Sequence, residues 1–168
     1  MIIGIDVDDT LVSTSESFDR VIKKYNINFN KKFKDDWIEE EIKFIFNNYL
    51  EEILLEAEIK TGAKEVIDYL NSKNYKLVII TARSNQYKHF IKERTVKQLQ
   101  KEGINISEFY FEDYEKATLA KKLKLDLMID DSKYVYDNMI REGIDCILFG
   151  DKIKTWKEVL DYIKEKEV

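Results

Sequence analysis

Met1-Ile2-Ile3-Gly4-Ile5-Asp6-Val7-Asp8-Asp9-Thr10-Leu11-Val12 decides how the rest of the chain is read. Ile2, Ile3, Ile5 and Val7 form a β-branched apolar run of strand length, the pattern of a strand buried on both faces. The run ends in Asp6, Asp8 and Asp9, a cluster that repels itself, loses solvation and opposes folding unless a counter-charge is present. A hard divalent cation meets that need, because Mg²⁺ takes carboxylate, carbonyl and water oxygens in octahedral geometry. Residues two apart on a strand point the same way, so Asp6 and Asp8 can share one task while Val7 faces the core. The Asp8 carbonyl is a further donor if the chain turns there. The plainer reading is an acidic turn closing a strand.

Beyond this stretch, Ser13, Thr14 or Ser15 can cap a helix carrying Phe18, Val21, Ile22 and Tyr25 at helical spacing. Asn26 to Asn30 reads as a turn, and Asp36 to Ile59 as a second helical region with Ile38, Ile42, Ile45, Tyr49, Leu50 and Ile53 on one face. Thr61-Gly62 opens another helix through Val66, Ile67 and Leu70. From Lys76 onward strands and helices alternate. Leu77 to Ile80, Phe109 to Phe111, Leu127 to Ile129 and Ile147 to Phe149 read as strands. Ser84 to Lys101, Ala117 to Leu123, a segment through Val135 and Met139, and Lys154 to Lys166 read as helices. This alternation predicts right-handed βαβ units: an α/β, Rossmann-like parallel five-stranded sheet with helices on both faces. The segment between the first two strands is too long for a simple crossover and predicts a small helical cap. Residues 1–12 and 75–168 form the expected core, and residues 13–74 the cap.

The 168 residues suit one domain with a real core, and 44% hydrophobic with 36% charged residues argues against disorder. The net charge of −5, with acids and bases interleaved, disfavours a nucleic-acid polymer as partner. Cys146 is the only cysteine, which excludes an intrachain disulfide framework and suits a reducing compartment. It falls within an apolar strand and reads as a small core residue. No apolar run approaches the ~20 residues of a membrane span, and no basic leader precedes the first strand. The expectation is a cytoplasmic protein.

Ligands of open parallel sheets bind at the carboxyl ends of the strands, and the polar residues here collect at those ends. The first strand ends in Asp6 and Asp8, the second in Thr81-Ala82-Arg83, and the fourth in Asp130-Asp131-Ser132. By residue type they offer a nucleophile, an acid, metal ligands and donors to phosphate oxygens.

The stretch Asp6-Val7-Asp8-Asp9-Thr10-Leu11 resembles the haloacid dehalogenase-like (HAD) superfamily of aspartate-nucleophile phosphohydrolases, whose first motif is Asp-x-Asp-x-Thr followed by an apolar residue. The resemblance implies a Mg²⁺-dependent phosphomonoesterase. Asp6 matches the nucleophile that becomes an aspartyl-phosphate, and Asp8 the general acid that later activates water. Close carboxylates are expected to hold the proton on Asp8. Thr81 matches the hydroxyl that binds the transferring phosphoryl group. Asp130 matches a metal ligand beside Asp6 and Asp8, and Asp131 a ligand or a carboxylate that braces one. The superfamily also uses a lysine between phosphate and nucleophile. Lys116 is preferred over Lys121, Lys122 and Lys124, because a helix start faces the carboxyl edge of the sheet.

Thr81-Ala82-Arg83 and Ile129-Asp130-Asp131-Ser132 further resemble the cytosolic 5'(3')-deoxyribonucleotidase branch and related bacterial nucleotidases. That likeness implies a nucleoside monophosphate as the small phosphorylated substrate, with Arg83 and Ser84 near the phosphate or the nucleoside. A structural ion pair is an equal reading of Arg83. Phe33, Trp37, Phe44, Phe46 and Tyr49 give the cap an aromatic surface. Trp37 is taken as a substrate contact, although packing on the body or a homodimer contact explains any single aromatic as well. His89 reads as a surface residue. The motifs contact only phosphate, so a sugar-phosphate or other metabolite phosphatase is the alternative. A non-catalytic binding protein on the same fold is a more distant one.

Overall fold

The structure is a computed structural model that describes residues 1–28 and 39–167. Five parallel strands form one sheet in the order β3-β2-β1-β4-β5. They are β1 (Ile2–Ile5), β2 (Lys76–Ile80), β3 (Glu108–Tyr110), β4 (Leu127–Asp130) and β5 (Cys146–Leu148). β1 is central, pairing Ile5 with Ile79 of β2 on one side and with Ile129 of β4 on the other. The chain builds outward from β1 through β2 to β3, then crosses to the opposite side for β4 and β5. The order therefore reverses beside β1, where open α/β sheets form a crevice outside the strand ends.

Side chains alternate between two apolar layers, as the two-residue period of a strand requires. Ile3, Ile5, Leu77, Ile79, Leu127 and Ile129 pack with Val66, Ile67, Leu70, Leu99, Val159 and Ile163. Those partners come from α4 (Ala63–Ser72), α5 (Ile91–Lys101) and α8 (Trp156–Lys166). On the other face Val78, Ile80, Met128 and Cys146 meet Ala120 and Met139, from α6 (Lys116–Leu123) and α7 (Lys133–Arg141). Gly4 is the exception in β1 that permits this packing. A Cβ there would stand 2.6 Å from Leu125 Cδ1 and 2.7 Å from Met128 Sδ.

Between β1 and β2 lie α1 (Thr14–Lys24), α2 (Glu39–Asn48) and α3 (Leu50–Leu55), followed by α4. The first three close a small core of their own around Val21, Ile45 and Ile53, with Phe18, Ile22, Phe46, Tyr49 and Leu54 packed against it. The chain leaves and re-enters the body along adjacent segments, with Val12 bridged antiparallel to Ile59. Ser13 N donates to Glu58 O and Lys60 N to Leu11 O. α4 falls within the expected insertion of residues 13–74, yet its apolar face fills the main core and it packs on β2 and α8.

Two helices are shorter than their apolar periodicity suggests. The helical region expected from Asp36 to about Ile59, whose residues 36–38 lie outside the described residues, consists of α2 and α3 and ends at Leu55. The helix expected from Ser84 begins only at Ile91. Ser84 Oγ accepts from Gln86 N and Asn85 Oδ1 from Lys92 N, so short polar side chains take backbone donors that a helix would otherwise use. Cys146 lies buried in β5, as its surroundings predict. Among the described residues, no helix is long and apolar enough to cross a membrane.

Candidate active site

β1, β2, β4 and the first turn of α6 converge at the crevice beside β1. Asp6 N donates to Ile129 O at 3.0 Å, so the β1–β4 ladder runs one residue past β1 and sets Asp6 next to Asp130. Val7 returns to the core. The chain then turns sharply, with Leu11 N and Val12 N both donating to Val7 O. Asp9 occupies the left-handed region at φ 60°, which a short polar side chain tolerates. Its carboxylate accepts from Ser15 N at 2.7 Å and Ser15 Oγ at 2.5 Å, bracing the start of α1.

Lys116, the first residue of α6, is buried between two carboxylates. Its Nζ donates to Asp6 Oδ1 and to Asp130 Oδ2, each at 2.7 Å. Asp6 Oδ2 accepts from Thr10 Oγ1 at 3.3 Å, and Asp130 Oδ1 accepts from Ser132 N at 2.9 Å. Oxygen atoms of Asp6, Asp130 and Asp131 all lie within 4.8 Å of one another. Among the described residues, three carboxylates thus gather around one ammonium, which pairs with Asp6 and Asp130 and leaves the cluster with more acidic groups than cations. Burial disfavours charge on Lys116, but Asp6 and Asp130 together hold its pKa well above the ordinary lysine value. Burial and the charge of Asp130 push Asp6 well above the usual carboxylate range, against the pull of Lys116. Burial, then Asp130 and Asp9, push Asp131 up to about 6. An all-oxygen set that is buried at Asp6 and Asp130 and open to solvent at Asp131, with more carboxylates than cations, fits a hard divalent cation such as Mg²⁺.

The Asp8 side chain is turned elsewhere. Its carboxylate is outside the group formed by Asp6, Asp130 and Asp131. It receives Arg83 Nε at 3.2 and 3.1 Å, Arg83 Nη2 at 2.8 Å and Thr14 Oγ1 at 2.5 Å. This corrects the expectation that neighbouring carboxylates keep Asp8 protonated. Burial does raise its pKa, but the Arg83 charge and the hydrogen bonds of Arg83 and Thr14 outweigh that and bring it below the ordinary value. A metal role for Asp8 accordingly rests on its main-chain carbonyl.

Thr81 is buried two residues beyond Ile79, which pairs with Ile5. Its Oγ1 accepts from Arg83 N at 3.1 Å, and its backbone is fixed by Tyr110 O and Asp113 N. Arg83, expected near the phosphate or nucleoside, is buried instead. Nη1 donates to Thr95 Oγ1 and Gln98 Oε1, and Nη2 to Leu54 O as well as to Asp8. With Nε on Asp8, all five guanidinium N–H groups are engaged inside the protein, which leaves none for a substrate. Ser84 is half-buried in the loop after β2. Trp37 and Phe33 lie outside the described residues. Phe46 packs edge-on to Tyr87 at 4.9 Å and Phe44 to Tyr49 at 5.9 Å, so these cap aromatics have packing partners. His89 is exposed, as expected.

Thr14, Thr95 and Gln98 are members of this site that sequence reasoning passed over. Thr95 and Gln98 carry a signal in retrospect: two polar residues three apart on α5, on the side that also buries Ile91 and Leu99.

A family model described as "Protein of unknown function (DUF2608)" matches residues 1–139. No curated protein matches the chain. Solved structures do. A predicted phosphatase from Clostridium acetobutylicum superposes with a TM-score of 0.70 at 14% identity, covering 98% of each chain. A HAD-superfamily hydrolase from Ehrlichia chaffeensis gives 0.60 at 16% identity, covering 99% of this chain and 97% of that one. A predicted phosphoglycolate phosphatase from Haemophilus somnus gives 0.56 at 17% identity, covering 86% of this chain and 83% of that one. These likenesses establish a shared α/β fold.

Proposed function

We propose that this chain, which belongs to the DUF2608 family, is a Mg²⁺-dependent phosphomonoesterase that works through an aspartyl-phosphate on Asp6. The observation that carries the proposal is the meeting of Asp6, Lys116, Asp130 and Asp131, drawn from three separate parts of the chain, at the carboxyl edge of the sheet. Asp6, Asp130 and Asp131 would hold the cation together with the Asp8 carbonyl. The bound cation supplies positive charge that offsets repulsion between a carboxylate nucleophile and an anionic ester.

In this reading an Asp6 carboxylate oxygen attacks phosphorus while the ester P–O bond breaks, and the departing oxygen takes a proton from Asp8. Water then attacks the same phosphorus and gives a proton back to Asp8. The bond to Asp6 breaks, releasing phosphate and restoring both side chains. Arg83 favours the ionised Asp8 that the second step uses. An arriving phosphate dianion raises the proton affinity of a neighbouring carboxylate, which serves the first step. Lys116 steadies Asp6 and neutralises charge on the transferring group, and the Thr81 hydroxyl binds one of its oxygens.

The substrate class we propose is a nucleoside monophosphate, on the likeness of the Thr81-Ala82-Arg83 and Asp130-Asp131-Ser132 stretches to deoxyribonucleotidases. Phosphate release from a panel of ribo- and deoxyribonucleoside monophosphates, sugar phosphates and phosphoglycolate, at fixed Mg²⁺, tests it. A clear nucleotide preference is expected. A preference for another ester would retain the chemistry and replace the substrate. Inactivity toward the whole panel, or full activity of Asp6→Asn, would remove the phosphatase reading.

A further inference from the structure

We propose that Arg83 is a positioning residue that ties the Asp8 carboxylate to the cap, so that orienting the acid–base group and seating the cap are one event. The proposal rests on the phosphatase reading above, in which Asp8 transfers the proton.

The geometry is a single buried junction. The Arg83 side chain is 1% exposed and reaches Asp8, which is 33% exposed, from inside the protein. Nη2 serves two masters at once: Asp8 Oδ1 at 2.8 Å and Leu54 O, near the end of α3, at 3.1 Å. Nη1 is fixed to α5 through Thr95 Oγ1 at 3.0 Å and Gln98 Oε1 at 3.1 Å. Gln98 closes the loop, because its Nε2 donates to Leu54 O at 3.0 Å and Ala57 O at 3.1 Å. A guanidinium is planar and its five donors are set at fixed angles. It therefore cannot follow a displaced Leu54 carbonyl and keep the same grip on Asp8. The cap also holds Asp8 from its other junction, since Thr14, the first residue of α1, donates to Asp8 Oδ1 at 2.5 Å. Both the segment entering the cap and the segment leaving it thus converge on one carboxylate. Lysine at position 83 would supply charge to Asp8, but a single ammonium cannot span Asp8, Leu54, Thr95 and Gln98.

A residue that aims a general acid is recognised by leaving-group dependence. An alkoxide or phenolate that is a strong base needs its proton from Asp8, whereas p-nitrophenolate departs with little help. The experiment is single-turnover phenol release from aryl phosphates of graded leaving-group basicity, at saturating Mg²⁺, for the wild type, Arg83→Lys, Arg83→Met and Gln98→Leu. The expected result is a fall of roughly tenfold to a hundredfold for the most basic leaving groups, little change for p-nitrophenyl phosphate, and KM essentially unchanged. Gln98→Leu keeps the Arg83–Asp8 ion pair and the Arg83 Nη2 bond to Leu54 O, and removes the bonds of Gln98 to Arg83 Nη1, Leu54 O and Ala57 O. It shifts the slope in the same direction, and it carries the test alone if the Arg83 variants do not fold. An equal fall for every leaving group makes Arg83 a support of the fold only, and a rise in KM alone makes it a substrate contact. Either result, or a wild-type slope in Gln98→Leu, overturns the proposal while the phosphatase reading stands. A wild type inactive on every aryl phosphate overturns both.

Discussion

Lys116 Nζ lies 2.7 Å from Asp6 Oδ1, although 110 residues separate the two in the chain. The contact exists because α6 begins at the same sheet edge at which β1 ends. The same ammonium reaches Asp130 at 2.7 Å, so one buried cation holds together two carboxylates from adjacent strands. Breaking a buried ion pair by removing one partner is far more costly than exchanging the whole pair for apolar groups.

Lys116→Met is therefore expected to destabilise the metal-free protein by about 3 kcal/mol, the lower end of the range for orphaned buried charge, because a proton taken up on Asp6 eases part of the loss. Urea denaturation at neutral pH measures it. Added Mg²⁺ should restore part of the midpoint, since a ligand that binds only the folded state stabilises it by mass action. Turnover should remain lost even with the metal present.

Asp131 gives a pH prediction whose sign follows from its environment. Its pKa rises from 3.8 to about 6 on folding, so between those values the folded protein binds the extra proton. The penalty on folding is absent below pH 3.8, grows as the pH rises, and is complete above about 6. Asp131→Asn should match the wild type near pH 3.8 and exceed it above pH 6. The margin in metal-free protein should be on the order of 1 kcal/mol, solvent screening of this exposed residue having trimmed the effect. Thermal or urea unfolding at the two pH values, in the presence of a chelator, checks the prediction. A constant difference between the variants across that range would contradict it.

Gly4 tests the packing of the sheet itself. Adding one methyl group at this position drives it into Leu125 and Met128 on the face covered by α6 and α7. Gly4→Ala should cost about 1–3 kcal/mol as an overpacked core position. Its denaturation midpoint should fall without a change in the urea slope, because the surface exposed on unfolding stays the same.

The parallel sheet was legible in the sequence because buried strands write themselves as short β-branched runs, and Ile2 to Ile5 and Leu77 to Ile80 do so plainly. Their ends were legible because carboxylates and a hydroxyl directly after such runs have few structural uses. The resemblance to the HAD superfamily called for a lysine, and helix position favoured Lys116 over Lys121, Lys122 and Lys124 as the one at a helix start. What stayed hidden was orientation. Nothing in the order Asp6-Val7-Asp8 says that Asp8 turns away from Asp130 to meet Arg83, because that choice depends on Leu54, Thr95 and Gln98 arriving from two other elements. The late start of α5 was hidden for a related reason. Tyr87 and Phe90 extend the apolar spacing only part of the way back toward Ser84, and Ser84 and Asn85 captured the local backbone donors.

Asp6 as nucleophile is the claim on which the chemistry turns, and a trapped intermediate tests it most directly. Asp8→Ala, incubated with Mg²⁺ and p-nitrophenyl phosphate and quenched in acid, should retain one phosphoryl group, because the leaving group needs little protonation while attack by water lacks its base. Peptide mapping by mass spectrometry should place that group on Asp6. A phosphoryl group on any other residue, or none on a protein that nevertheless releases a stoichiometric burst of p-nitrophenol, would contradict the account.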